Sequence, residues 1–567
     1  MNLPTPAIVA QGAVRRLPRV ALLLFCIAYV LPGFIGREPW KGADMEAFGY
    51  MAELLRGGSD WFAPQLMGIQ PEVDALLPYW LGAWAMQLAP AWIVPDLAAR
   101  LPFALLLVVT LMATWQGIYY LALSPKAQPV AFAFGGEALP PDYARAMADG
   151  GLLAFIACLG LAQLSHETTP AQAQLCFTAL GFYSLAAMPY RTAAPAISGI
   201  LGLLGLTLSG APTLALLFGA GGAMVHQLDR PDHPAKAAKN TCWLWGIVLL
   251  TLFVAALATW LSLWRWRIEP PPAAWLPWRN LGRLLLWFTW PAWPLALWTL
   301  WRWRRQLARA ETSRHLTLPL WFASVAVGTT LVTSSSDRAL LLALPALATL
   351  AAFALPTLKR SVAALIDWFT LLFFTGCAFI IWVVWIAMQT GVPKQPAANV
   401  ARLAPGFEAG FSFTPLLIAL AATLAWAWLV KWRAGRHRTA IWKSLVLPAG
   451  GAALCWLLLM TLWLPLLDFA RSYAPLVRSV AAMLQQPACV QTHGLSRGQT
   501  AAFQYHGQLV LKPASTRASC PWLIVDSDAA GSLAQAVNMK EWSLYRTVRR
   551  PSDSDENILL YKRVNRP

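Results

Sequence analysis

The stretch GADMEAFGYMAELLRGGSDWFAPQL, residues 42 to 66, concentrates carboxylates in a chain that has few. Charged residues make up 12% of the 567, against roughly 25% in soluble proteins. Residues 37–96 gather Glu38, Asp44, Glu46, Glu53, Asp60, Glu72 and Asp74. Two chemistries suit such carboxylates. One is proton abstraction by a positioned base. The other is oxygen ligation of a hard divalent cation, although no set of ligands has metal-type spacing, and the metal question stays open. Asp44 itself has two readings. Placed just before a helix it would accept bonds from free N–H groups and cap the helix. Facing a cavity between loop and bundle it would act as base or metal ligand. Asp60 and Trp61, in "GGSDWFAP", fit a turn with an interfacial anchor that braces the loop.

The elements that must hold these residues follow from periodicity and composition. In "MEAFGYMAELL" the residues Ala47, Tyr50, Met51, Leu54 and Leu55 recur at helical spacing, which predicts a surface helix. The chain as a whole is 58% hydrophobic with 31 Trp, and Trp favours membrane interfaces. Windows of about 20 nearly uncharged residues match the length of a membrane helix, and backbone groups in lipid must pair internally. The fold class is therefore all-α and polytopic, with spans near 18–36, 97–123, 150–165, 172–188, 195–209, 211–228, 241–264, 282–301, 317–333, 338–355, 362–389, 412–430 and 441–467.

Basic clusters such as "LWRWRRQLARAETSRH" and "KWRAGRHR" fall between spans, as the positive-inside rule expects. They place the N-terminus in the cytoplasm, and this explains the net charge of +18 without nucleic acid as a partner. Residues 20–36 read as a membrane helix instead of a cleaved leader. The window 76–91, which carries Pro78, Tyr79 and Trp80, is expected to lie along the outer surface, because a crossing there would invert every later cluster. Residues 1–467 thus form the membrane domain and 468–567 a small soluble domain outside it. There "AAFQYHGQLVL", "CPWLIVDSD", "WSLYRTVRR" and "NILLYKRV" read as strands. Cys489 and Cys520 lie in this domain, either as a disulfide, which an oxidising compartment would favour, or as free thiols.

The order of motifs resembles the GT-C glycosyltransferases that use polyprenyl-phosphate sugars. The similarity is strongest to the group containing 4-amino-4-deoxy-L-arabinose transferase of lipid A and the bacterial relatives of protein O-mannosyltransferases. The motifs are Asp44 and Glu46, "GGSDWFAP", "LLPYWLGAW", "ARLPFALL" and "SSSDRALLLALPALATLAAF". The resemblance implies a GT-C fold of about thirteen membrane helices, with amphipathic outer-loop helices and a small α/β C-terminal periplasmic domain. It implies an inner-membrane enzyme that moves a sugar from a polyprenyl-phosphate donor to lipid A, another glycan or a protein.

By that resemblance the catalytic carboxylates are Asp44, Glu46 and Glu167, the last from "SHETTPAQAQL" in the next outer loop. The donor phosphate falls to Arg338, Arg265, Arg267 and Arg283, since the guanidinium fork matches phosphate. His166, Asp60, Trp61 and Tyr79 are then acceptor or loop residues, membrane lipids are partners, and a divalent metal ion is the one cofactor to consider. Two rival readings are a transporter or flippase of a lipid-linked glycan and a GT-C-like scaffold without activity. Transporters commonly show paired repeats and interrupted helices with charges at mid-membrane, and this sequence is read as showing neither.

Overall fold

The computed structural model describes residues 5–228, 234–265, 268–308, 313–333, 336–435, 440–517, 519–553 and 555–564. Six helices among them are long and apolar enough to cross a membrane: Pro95–Ala122, Asn240–Trp260, Arg314–Val332, Arg360–Thr390, Phe413–Arg433 and Ile441–Leu462. The chain is a multi-pass membrane protein.

Several expected spans are built from shorter pieces. The window 282–301 is two helices, Trp275–Phe288 and Ala292–Arg302, separated at Pro291. The window 338–355 divides into Ser336–Leu341 and Leu344–Ala354, the second with Pro345 in its first turn. The window 441–467 breaks before Leu464–Arg471, which has Pro465 in its first turn. Proline lacks the N–H that would continue a helix, and its ring clashes with the preceding turn. The window 150–165 also breaks: Pro140–Ala157 ends at Cys158, and a short turn, Leu161–Leu164, follows. Two of these breaks satisfy each other. Leu159 N–H donates to the Trp290 carbonyl at 3.1 Å and Gly160 N–H to the Phe288 carbonyl at 2.9 Å, so irregular backbone inside the bundle stays paired. Gly160 is required there, because a Cβ would lie 2.2 Å from the Phe288 ring.

The segment 37–96 carries two helices. Ala43–Arg56 buries Ala47, Tyr50, Met51 and Leu54 as its spacing predicts, while Leu55 stays exposed. Leu77–Leu88 has 12 residues, about 18 Å at 1.5 Å per residue, too short for a hydrocarbon layer of about 30 Å. It packs on the first helix so closely that a Cβ on Gly82 would lie 2.2 Å from the Met51 sulfur. Trp84, Leu88 and Trp92 remain exposed at its other side and end.

The C-terminal region is a five-stranded mixed sheet, β1 Val490–His493, β2 Leu511–Pro513, β3 Trp522–Asp526, β4 Trp542–Arg549 and β5 Asn557–Arg563. Its order is β2-β1-β3-β5-β4. β1 lies parallel to β2 and β3, and β5 runs antiparallel to β3 and β4. The first half of "AAFQYHGQLVL" is helical instead of extended. A capping box between Ser496 and Gln499 starts the helix Arg497–Tyr505, satisfying two backbone donors at once. β1 has no counterpart in the sequence reading. The disulfide Cys489–Cys520 forms, with the Cα atoms 5.4 Å apart.

Candidate active site

Asp44 lies in the first turn of Ala43–Arg56, which Gly42 caps in place of the expected aspartate. Its carboxylate points back, out of the helix. Oδ2 accepts from Arg37 Nη2 at 2.8 Å and from Trp40 N–H at 3.1 Å. Oδ1 accepts from Thr168 N–H at 2.7 Å and Thr168 Oγ1 at 2.8 Å. Arg37 and Asp44 are both buried, and the same Arg37 nitrogen donates to the His166 carbonyl at 2.9 Å. Burial alone would raise the Asp44 pKa, but Arg37, Arg100 and the two N–H donors hold it below the usual carboxylate range. Four donors on two oxygens make Asp44 a structural tie between segment 37–44 and the loop 166–169. It does not face the cavity described next, contrary to the second sequence reading.

That cavity, of about 510 Å³, opens beside the same helix. Glu46, Glu72, Asp74 and Tyr79 line it from the segment 37–96. Arg265 and Arg338 line it from later segments. Leu214, Leu217, Val325, Gly328, Val332 and Leu342 make its apolar side. Gly210, Ala211 and Pro212 also line it. A Cβ on Gly210 would meet the Val73 side chain at 2.6 Å, and its φ of +79° suits glycine.

Glu46 is half-buried, and Oε1 accepts from Glu72 N–H at 3.1 Å. Burial raises its pKa, against the pull of that bond and of Arg497. Arg265 bonds Asp74 at 3.0 and 3.4 Å. Arg338 bonds Glu167 Oε2 at 3.2 Å, while Gln163 holds the other Glu167 oxygen at 3.1 Å. Burial and the neighbouring Asp44 raise the Glu167 pKa, and Arg338 opposes them. Glu167 thus stands behind Arg338, outside the cavity wall.

The other predicted residues divide clearly. Tyr79 reaches the cavity and packs its ring 5.5 Å from that of Tyr50. Asp60 accepts from Phe62 N–H at 3.0 Å in a tight turn, and Trp61 offers its carbonyl to Trp80 Nε1 at 2.7 Å. Both brace the loop away from the cavity. His166 is fully buried among Phe34, Tyr29 and Trp456, its pKa lowered to about 3 by burial. It is a packing residue and cannot meet an acceptor. Arg283 is exposed on Trp275–Phe288 and away from the cavity. Arg267 lies outside the described residues. Among the described residues no three His, Cys, Asp or Glu side chains gather to hold a metal ion.

Sequence reasoning missed Arg37, Thr168, Gln163 and Arg471. Arg471 donates to Gln163 at 2.7 Å and stacks on Trp40, opposite partners that lie hundreds of positions away. The one local signal was Thr168, which directly follows Glu167.

No family model matches the sequence, and no curated protein matches it either. Two solved structures are similar in fold. ArnT from Cupriavidus metallidurans in the apo state superposes with a TM-score of 0.56, covering 95% of this chain and 96% of that one at 12% identity. The chain has the ArnT fold. ArnT from the same organism bound to undecaprenyl phosphate gives a TM-score of 0.56, 96% and 98% coverage and 13% identity. Within this ArnT fold, carboxylates of the segment 37–96 and two arginines of later segments line one cavity together with apolar residues.

Proposed function

We propose that the chain is a glycosyltransferase of the bacterial inner membrane that moves a sugar from a polyprenyl-phosphate donor to an acceptor on the periplasmic face. In this reading residues 1–467 form the membrane domain, residues 468–567 the periplasmic one, and the N-terminus is cytoplasmic. The observation that carries it is the cavity joining Glu46, Arg265 and Arg338 to an apolar wall. The undecaprenyl phosphate bound to an ArnT of similar fold supports a lipid phosphate as the carrier. The disulfide Cys489–Cys520 supports an oxidising compartment for the C-terminal domain.

The chemistry divides among this chain's own residues. The Glu46 carboxylate takes the proton of the acceptor hydroxyl. The freed oxygen bonds the anomeric carbon as the bond from that carbon to the phosphate oxygen breaks. The polyprenyl phosphate leaves with the electron pair, and Arg338 and Arg265 hold its charge. A base whose pKa is raised toward the working pH is the more effective, and burial raises that of Glu46. Glu167 and Gln163 fix Arg338 from behind. Asp44 and Arg37 hold the helix that presents Glu46.

Membranes incubated with a radiolabelled polyprenyl-phosphate sugar test this. Transfer of label should fall about 10²–10⁴-fold in Glu46→Gln, the usual contribution of a positioned base. It should fall about 10–150-fold in Arg338→Gln, the loss of one charged hydrogen bond worth about 1.5–3 kcal/mol. Equal transfer by Glu46→Gln would reject Glu46 as the base. Movement of a lipid-linked glycan across the membrane with no bond change would replace the reading by transport.

A further inference from the structure

We infer that Arg497, supplied by the C-terminal domain, is a positioning residue for Glu46, so that the soluble domain completes the reaction centre of the membrane domain. The inference rests on the reading of Glu46 as the base.

Arg497 Nε lies 3.9 Å from Glu46 Oε1. The same nitrogen donates to the Gln70 carbonyl at 2.9 Å. Two residues later, Glu72 N–H bonds that same Glu46 oxygen at 3.1 Å. One guanidinium therefore holds both the carboxylate and the stretch of chain that donates to it.

The position of Arg497 is set by the sheet domain. It is the first residue of the helix Arg497–Tyr505, whose capping box fixes the start. Gln499 Nε2 bonds Asp526 Oδ2 at the end of β3, at 2.7 Å. The helix then docks on Ala43–Arg56 with almost no space between the backbones. A Cβ on Gly49 would stand 2.4 Å from that of Ala501. Phe48 and Tyr505 meet edge to face at 4.6 Å. This contact leaves Arg497 little freedom to move away from Glu46.

The charges around Glu46 give Arg497 an effect that can be read. Glu72 repels it, Arg338 and Arg497 attract it, and Tyr50 stands on the same helix face. Arg338 is already bonded to Glu167. Arg497 is then the cation whose principal carboxylate partner is Glu46.

The test uses the full-length protein in detergent micelles. A carbodiimide labels protonated carboxyls, and mass spectrometry of the peptide containing Glu46 gives a labelling midpoint against pH. In Arg497→Met, and in Arg497→Gln as a second neutral variant, the midpoint should rise by about one pH unit, the low end of what a nearby opposite charge supplies. Arg497→Lys, which returns a cation to the same place, should restore it. The acid limb of the transfer rate should move by the same amount. An unchanged labelling midpoint in both neutral variants would overturn the inference. A midpoint that moves while the acid limb of transfer stays fixed would preserve the link to Arg497 and reject Glu46 as the base.

Discussion

Asp44 and Glu46 stand two residues apart on one helix turn, and the fold gives them opposite electrostatics. Asp44 is 2% exposed and receives four hydrogen bonds. Such a carboxylate holds no lone pair ready for a substrate proton. Glu46 faces the cavity, with its pKa raised by burial. The two substitutions should therefore fail differently. Asp44→Asn leaves the Arg37 charge buried without its counter-charge, and Arg37 Nε and Nη1 already lack hydrogen-bond partners. Breaking a buried pair from one side costs about 3–5 kcal/mol. We expect Asp44→Asn to lower stability by that amount in denaturant unfolding, and Glu46→Gln to leave stability nearly unchanged while transfer falls. A fully stable Asp44→Asn protein that transfers nothing would return the chemistry to Asp44.

At the scale of elements, the joint between segment 38–41 and the helix Leu464–Arg471 holds the start of the loop. Trp40 Nε1 donates to Asp468 Oδ1 at 2.8 Å, and Lys41 N–H donates to the Arg471 carbonyl at 2.7 Å. Burial pushes the Asp468 pKa up to about 7, despite the Trp40 bond. The folded state thus binds this proton more tightly than the unfolded chain, whose aspartates titrate near about 3.9. The resulting stability is present in full below about pH 4 and is lost as pH rises through about 7. Asp468→Asn keeps an acceptor for Trp40 and removes the titration. Its melting temperature should gain on the wild type as pH rises from about 4 to about 7. A constant difference over that range would show that Asp468 does not titrate there.

For the molecule as a whole, the membrane bundle and the sheet domain meet across the loop that carries Glu46. Lys41 bridges to Asp553 at 2.9 Å, Arg478 to Glu38 at 2.9 Å, and the helix Arg497–Tyr505 covers Ala43–Arg56. Exposed pairs such as these contribute little singly, so the apolar contact under the helix dominates. The disulfide ties β1 to β3 across a separation of 31 residues, which by loop-closure entropy stabilises by about 3–4 kcal/mol. Reducing it, or changing Cys489→Ser, should lower the unfolding free energy of the sheet domain by about that amount. If the domain positions Glu46 as inferred, transfer should weaken in the same preparations. Full transfer by a reduced and demonstrably unfolded sheet domain would separate the two halves functionally.

The sequence by itself determined the class of protein, a helix through 45–55 and the acidic loop, because hydrophobic runs and helical spacing are local properties; the structure starts that helix two residues earlier, at Ala43. It also placed Tyr79, Glu46, Arg265 and Arg338 among the candidates that the fold gathers at one cavity. Composition read each interrupted apolar run as one span, so the paired breaks at 158–160 and 288–290 were invisible. Which of two neighbouring carboxylates would be free, and which locked, was decided only by tertiary structure. Arg37 and Thr168 close on Asp44 from positions 7 and 124 residues away. The sheet domain sends Arg497 toward Glu46 from the far end of the chain. A carboxylate's chemistry depends on the charges and donors within a few ångströms, and that neighbourhood exists only once distant segments have packed.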